Sequence, residues 1–169
     1  LPFEEAKLYG HNAVHFLLGI HASEKGLSYM QELSKHPAIM ADARKAFIDE
    51  SGRALLKKWR REEDFFNLDS FREYADDLLE RMLNPFLMDS VERVCRDLER
   101  KLSWDDRSVG TIRLAVSQNI PCPCFAKAAR IAAEKLAVSK DSCEIRKKLS
   151  SIWHDVDDIE KEKILKLIC

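Results

Sequence analysis

Apolar residues recur at helical spacing along almost the whole chain of 169 residues. Successive apolar side chains are three or four positions apart, and no segment combines β-branched enrichment with strict alternation. The pattern therefore predicts an all-α fold. Because the chain has no repeat, low-complexity stretch or Gly/Ser-rich linker, we expect one bundle-like multi-helix domain over residues 1–169.

Prolines, glycines and capping residues predict where the helices begin and end. Pro2 suits the first turn of a first helix that ends near Ala22, and Gly26 breaks the chain after it. Pro37 begins a long helix through Trp59. Further helices are predicted at 27–34, from Asp69 to Met82, from Ser103, from the Pro121–Cys122–Pro123 turn to Leu136, from Asp141, and at 157–168.

The composition is that of an ordinary globular protein. Hydrophobic residues make up 46% of the chain and charged residues 34%, with a formal net charge of -1. No excess of either charge favours nucleic acid or an anionic membrane, and no apolar run approaches the ~18–20 residues that span a bilayer. With no secretory leader at its start, the chain is expected in the cytoplasm, without nucleic-acid or membrane partners.

Cysteines and histidines offer only weak evidence of a metal site. The five cysteines are an odd set without paired spacing, which suits reduced thiols. Cys122 and Cys124 can be interpreted as a metal or redox pair, or as buried residues at the edge of a loop. We favour the second interpretation because no further cysteine or histidine nearby completes a zinc-ligand set. His11 and His15 are four apart but also lack further ligands. We therefore expect no metal.

The segment from Lys7 to His15 places three polar side chains on one flank of the first predicted helix. At ~100° per residue, Lys7, His15 and Asn12 fall at about 0°, 80° and 140°. A lysine grouped with an amide and an imidazole can exchange a proton with a hydroxyl that the other two hold. This arrangement indicates carbonyl and alcohol chemistry. The alternative is a surface lysine beside an interior histidine.

A second block of sequence supports a family resemblance. Residues 84–96 read Asn-Pro-Phe-Leu-Met-Asp-Ser-Val-Glu-Arg-Val-Cys-Arg, and Arg100–Lys101–Leu102 and Asp106–Arg107 follow. Together with the spacing of Lys7, Asn12 and His15, this block resembles the polyol-specific long-chain dehydrogenases, the mannitol dehydrogenase family. The resemblance covers residues 1 to about 136. One departure is Leu98, where the family commonly has proline.

The resemblance implies the helical substrate domain of an NAD-dependent oxidoreductase. In that family an amino-terminal Rossmann domain binds the dinucleotide, whereas the five isolated glycines of this chain form no Gly-x-Gly-x-x-Gly fingerprint. The NAD-binding half is therefore expected to be missing here. The implied partners are that Rossmann domain of the same polypeptide and a small polyol phosphate, and the implied reaction interconverts mannitol 1-phosphate and fructose 6-phosphate.

The resemblance also implies roles for individual residues. Lys7 is the general acid and base, Asn12 donates its amide to the reacting oxygen, and His15 hydrogen-bonds the sugar alcohol. A lysine is a base only when neutral, and its ordinary pKa of about 10.4 falls only through burial or nearby positive charge. Glu4 is either a proton path to Lys7 or half of an ordinary surface ion pair.

Cationic side chains of the second block are the predicted substrate contacts. If one helix continues through them, Arg93, Arg96 and Arg100 lie within about 60° of one another and can hold a phosphate. The resemblance matches Arg93 and Lys101 to substrate contacts and leaves Arg96, Arg100 and Arg107 as the phosphate candidates. The alternative is a solvated mixed-charge helix face.

Two other functions remain open at this point. The first is a related oxidoreductase acting on a free polyol or a sugar acid such as a uronate, which differs in not requiring phosphate. The second is a helical binding or scaffold module without catalysis. A strand, a glycine-rich turn and a helix encoded upstream would favour an enzyme.

Overall fold

The computed structural model describes residues 2–59 and 67–169, and it is all-α within them, as the hydrophobic pattern predicts. No β-strand occurs in the described part, where an isolated antiparallel bridge joins Tyr29 and Ser90. Buried apolar side chains along these residues form a continuous core. The helical segments are Pro2–Glu5, Ala6–Asn12, Ala13–Glu24, Met30–Lys35, Pro37–Lys45, Ala46–Gly52, Arg53–Trp59, Leu68–Met82, Pro85–Leu87, Val91–Cys95, Leu98–Lys101, Val109–Ser117, Pro123–Ala137, Ser142–Ile152 and Asp158–Ile168.

The first helix is continuous over residues 2–24 and is called the signature helix from here on. It ends at Glu24, close to the predicted end at Ala22, and Gly26 then turns the chain with a φ of +69°. Its middle, Ala6–Asn12, is a π-helix, in which backbone hydrogen bonds join residues five rather than four positions apart. Its apolar side chains include four that are buried in the core, Ala13, Phe16, Leu17 and Ile20.

The predicted helix from Pro37 to Trp59 is confirmed, and it contains a second π segment, Ala46–Gly52. The two π segments pack against each other. A Cβ added to Gly10 would lie 3.0 Å from Phe47 Cε2, and one added to Gly52 would lie 2.6 Å from the Phe47 carbonyl oxygen. Although glycine lowers helix stability in general, Gly52 is a site of close packing in this helix.

Two predicted helix starts are wrong. Asn67 rather than Asp69 caps the next helix, because the Asn67 side chain accepts a backbone N–H of the first turn. Ser103 begins no helix: the chain turns there, and the next long helix is Val109–Ser117. The carboxylate of Asp106 accepts two hydrogen bonds from Arg107, one from its backbone N–H and one from its Nε–H. The predicted cap at Asp141 is confirmed.

A buried carboxylate occupies the start of the helix Pro123–Ala137. Glu50 is 2% exposed, and its two carboxylate oxygens accept the backbone N–H groups of Cys124 and Phe125 at 2.9 and 3.1 Å. A negative charge is favourable there because helix N-termini leave N–H groups unpaired and carry a positive partial charge. Burial raises the pKa of the thiols of both Cys122 and Cys124 to about 12. Raised pKa values of this size favour the protonated thiol of both cysteines at neutral pH.

Candidate active site

His15 and the predicted cationic residues line one cavity of about 210 Å³. The signature helix supplies His15 and Phe16, and the second block supplies the other walls. The structure thus brings His15 together with all five predicted substrate contacts. The complete lining is His15, Phe16, Arg93, Val94, Arg96, Asp97, Arg100, Lys101 and Arg107.

A glycine in the signature helix lets the second block come this close. A Cβ added to Gly19 would lie 2.3 Å from Val94 Cγ1, which is closer than carbon atoms can approach without displacement. The short helix Val91–Cys95 therefore lies directly against the signature helix. Ser90 caps that short helix by accepting the backbone N–H of Arg93 at 3.2 Å.

The predicted continuous helix through the arginines is wrong. Helix Val91–Cys95 ends at Arg96, whose backbone is extended, and a new helix, Leu98–Lys101, follows. Between them Asp97 has a φ of 58°, a left-handed conformation that an aspartate tolerates better than most residues. The arginines consequently surround the cavity from two short helices instead of lying along one stripe.

Most of these cations are already paired with carboxylates. Arg93 pairs with Asp89 at 2.6 Å, and Arg107 pairs with Asp106 at 2.8 Å. Arg100 lies 3.2 Å from Asp106. Arg96 is exposed and forms no ion pair with any residue of 2–59 or 67–169. The cavity therefore keeps an excess of positive charge, and Arg96 contributes its least neutralised guanidinium.

Lys101 differs from the arginines because it is only 5% exposed. Its Nζ donates to the Val94 carbonyl oxygen at 2.7 Å and lies 5.7 Å from the centre of the Phe16 ring. Burial, followed by the positive charges of Arg107 and Arg100, lowers the pKa of Lys101. The ammonium group is thus held by a carbonyl and an aromatic face within the wall of the cavity.

His15 contacts a carboxylate that the sequence patterns did not single out. Its Nε2 lies 2.8 Å from Oδ2 of Asp89, whose side chain is 9% exposed. Burial lowers the pKa of His15, an effect that the charges of Arg93 and Arg107 reinforce and that Asp89 opposes. In the sequence, Asp89 stands four positions before Arg93, a spacing typical of helical ion pairs, but no pattern linked it to His15.

The other residues of the predicted catalytic group lie outside the lining of this cavity. Lys7 and Glu4 are exposed on the signature helix, and Asn12 is half-buried. The predicted angle of about 140° between Lys7 and Asn12 is wrong, because both lie in the π segment, where residues five apart are one turn apart. The ring centre of His11 lies 6.3 Å from that of His15.

The described residues contain no glycine-rich turn of the kind that binds a pyrophosphate. Phosphate-binding turns use glycines whose backbone can approach a pyrophosphate, but four of the five glycines are packed against protein atoms in this fold. Gly26, the remaining one, stands alone in a turn. None of the helices that the structure describes has the length and apolarity required to cross a membrane.

Comparison with known proteins gives a consistent family assignment. The family model of the mannitol dehydrogenase C-terminal domain matches residues 1–158. The chain is 32% identical over 112 residues to mannitol-1-phosphate 5-dehydrogenase of Lactococcus lactis subsp. cremoris (strain SK11), which covers 66% of this chain and 28% of that protein. It is 33% identical over 109 residues to the Geobacillus stearothermophilus protein of the same name, covering 64% of this chain and 27% of that protein.

The chain spans little more than a quarter of the length of these curated relatives. The matched residues nevertheless include most of the chain, and the family model covers both the signature helix and the second block. The two sequence blocks that suggested the resemblance thus lie within one family domain, and the all-helical fold agrees with it. The chain belongs to the mannitol dehydrogenase family and carries the family's carboxy-terminal domain.

Proposed function

We propose that this chain is the substrate-binding and catalytic domain of an NAD-dependent dehydrogenase that interconverts mannitol 1-phosphate and fructose 6-phosphate. The observation that carries the proposal is the cavity in which His15 meets five cationic side chains. An alcohol substrate needs hydrogen-bonding groups at its hydroxyls, and a phosphorylated one also needs positive charge. This cavity offers both within one space.

The protein groups proposed for the proton transfer lie on the signature helix. Lys7 takes the hydroxyl proton when the alcohol is oxidised and returns it when the ketone is reduced. Asn12 donates its amide N–H to the reacting oxygen, and His15 accepts a hydrogen bond from a neighbouring hydroxyl. Glu4, one turn before Lys7, carries the proton onward. The π segment supports this arrangement because it brings Asn12 one turn from Lys7.

The hydride acceptor of the proposed reaction comes from outside this chain. A bound NAD would supply the acceptor for the hydride that leaves the carbinol carbon. We propose that a Rossmann domain of the same polypeptide holds NAD, since the glycines of this chain are used for packing and the relatives are much longer. Lys7 is exposed on the signature helix, where a second domain could reach it. The five free thiols suit a reducing compartment such as the cytoplasm.

A phosphorylated substrate is favoured over a free polyol by the charge of the cavity. Within residues 2–59 and 67–169, three of the five cations are paired with carboxylates, Arg96 is not, and Lys101 is held by a carbonyl and a ring. A dianionic phosphate would neutralise this excess through charge-assisted hydrogen bonds, whereas a free polyol would leave it unbalanced.

The test is the activity of the longer polypeptide that carries this chain. We expect NAD reduction with mannitol 1-phosphate, and we expect Lys7→Ala to lower kcat by ~10² or more, the scale of general acid–base catalysis. The measurement is steady-state kinetics at 340 nm. Lys25→Ala is the matched control, because Lys25 is an exposed lysine just beyond the end of the same helix.

Two results would contradict the proposal. An absence of activity with mannitol 1-phosphate in the presence of NAD would remove the assigned substrate. A Lys7→Ala variant that keeps more than half of the original kcat would remove Lys7 as the proton-transfer group, even if the enzyme were active.

A further inference from the structure

Backbone hydrogen bonds on both sides of Asp89 fix its position, independently of its side chain. Its carbonyl oxygen accepts the N–H of Met30 at 2.9 Å. On the other side, the N–H of Val91 donates to the Ser28 carbonyl oxygen at 2.9 Å, and the bridge between Tyr29 and Ser90 lies between these two bonds. The segment that carries Asp89 is thus anchored to the loop after the signature helix.

The Asp89 carboxylate joins the two parts of the site. Oδ2 lies 2.8 Å from Nε2 of His15. Oδ1 accepts two hydrogen bonds from Arg93, at 3.0 Å from Nε and 2.6 Å from Nη2. The side chain is 9% exposed, so these contacts are largely shielded from water. One carboxylate therefore holds one residue from each of the two walls of the cavity.

These contacts determine which nitrogen of His15 carries the proton. An ionised carboxylate can only accept, so the 2.8 Å contact requires a proton on Nε2. Burial keeps the pKa of the imidazole below its usual value, so the ring is neutral and its Nδ1 has a free lone pair. A neutral His15 of this tautomer accepts a hydrogen bond from a hydroxyl at Nδ1 and donates none there.

We propose that Asp89 is a positioning residue that fixes the tautomer and orientation of His15 while it holds Arg93 at the same cavity. Its effect on the tautomer concerns this chain alone. Its effect on turnover rests on the function proposed above, since it requires His15 to accept from a substrate hydroxyl.

The tautomer is tested by NMR on the ¹⁵N-labelled 169-residue chain. Long-range ¹H–¹⁵N correlations distinguish a protonated Nε2 from a protonated Nδ1, and we expect Nε2–H for neutral His15. In Asp89→Asn the new amide can donate to the ring, so we expect a rise in the Nδ1–H form and a lower pKa for His15. Asp97→Asn, which changes an exposed carboxylate of the same cavity, is the control and leaves both unchanged.

A His15 that is mainly Nδ1–H in the unaltered chain, or one whose tautomer and pKa are the same in Asp89→Asn, would overturn the proposal. Chemical shifts of amides far from the cavity report whether Asp89→Asn still folds. If that variant fails to fold, the tautomer of His15 in the unaltered chain still tests the proposal.

The kinetic consequence is measured in the longer polypeptide. We expect Asp89→Asn to lower kcat by roughly 10- to 100-fold, the range for removing a group that orients a functional histidine, while Arg93→Ala mainly raises KM. A purely structural role would reduce the amount of active enzyme without this split. An inactive parent enzyme would contradict the proposed function but leave the NMR result intact. An unchanged kcat in Asp89→Asn would refute the role of Asp89 in turnover.

Discussion

At the residue scale, the ion pairs around the cavity show which of its cations are most available to bind the proposed phosphate. A guanidinium that already satisfies a carboxylate must break or share that pair before it binds a phosphate. Arg100 lies near two carboxylates, at 3.2 Å from Asp106 and 3.9 Å from Asp97. Arg96 has no such competitor among the described residues. The structure therefore separates two arginines that the sequence presents as equivalent.

This difference predicts that Arg96→Ala impairs phosphate recognition more than Arg100→Ala does. A charge-assisted hydrogen bond lost from a partly desolvated site costs roughly 1.5–3 kcal/mol, so KM for mannitol 1-phosphate should rise about tenfold or more in Arg96→Ala. Any weak activity with free mannitol should stay the same. Steady-state kinetics with both substrates measures the effect, because a general folding defect would lower both activities together.

If Arg100→Ala changes the preference between the two substrates more than Arg96→Ala, the ion pairs do not determine the phosphate site. If neither variant changes it, these arginines are surface charges. The dehydrogenase assignment built on Lys7, Asn12 and His15 would remain in that case.

At the element scale, the sequence predicts the helices well and their internal irregularities poorly. Apolar periodicity and capping at Asp141 identify helices correctly, because both depend on local chemistry. The π segments are missed, since they depend on how the two helices pack at Gly10 and Phe47. The break at Asp97 is also missed, because neither glycine nor proline marks its positive φ in the sequence.

The site shows the same contrast between features that depend on local sequence and features that depend on long-range packing. His15 and the five cations that the sequence singles out line one cavity, but the continuous helix predicted through the arginines is wrong. The sequence does not predict the contact between Asp89 and His15, because these residues are far apart in the chain. Long-range pairs of this kind leave no periodic signal in a single sequence.

The close packing of the π segments predicts that Gly52→Ala destabilises the chain. Alanine favours helix by about 1 kcal/mol relative to glycine, but its Cβ would lie 2.5 Å from Phe71 Cε1 and 2.6 Å from the carbonyl oxygen of Phe47. A backbone atom cannot move aside cheaply, and overpacking costs about 1–3 kcal/mol. Urea denaturation should therefore show a net loss of unfolding free energy.

Gly10→Ala is the matched comparison, because it adds the same group to the other π segment. Its Cβ would lie 3.0 Å from Cε2 of Phe47, a side-chain atom that can shift by a few tenths of an ångström. We expect a smaller loss than for Gly52→Ala. Equal or greater stability of Gly52→Ala relative to the parent chain would contradict the packing argument.

At the scale of the whole molecule, the net charge conceals a strongly uneven distribution. The formal charge is -1, yet five cationic side chains line a single cavity. Because the field near a cleft depends on the local charges that line it, an anion is attracted there in spite of the negative total. A formal charge of -1 therefore gives no reason to expect nonspecific polyanion binding, and it carries no information on whether a small anion binds in this cavity.

The histidines predict how the stability of the whole chain depends on pH. Burial is the largest of the causes that lower the pKa of His11, His15 and His21 below 6.5. Below pH 6.5 the unfolded chain protonates these rings while the folded chain does not, until the lowered pKa values are reached. The unfolded state then binds more protons, so the free energy of unfolding must fall as the pH falls through this window.

Urea denaturation of the chain at pH 7.5, 6.5 and 5.5 should therefore show decreasing stability, by up to about 1.4 kcal/mol per pH unit for each histidine that stays neutral. Acidic groups with lowered pKa values, such as Glu24 and Asp76, act only below about pH 4.5 and do not contribute to this range. His21→Gln removes one titrating ring outside the cavity lining and should reduce the slope while leaving the fold intact. A constant stability between pH 6.5 and 5.5, or a slope that His21→Gln does not reduce, would show that burial of these rings does not govern the acid sensitivity of the molecule.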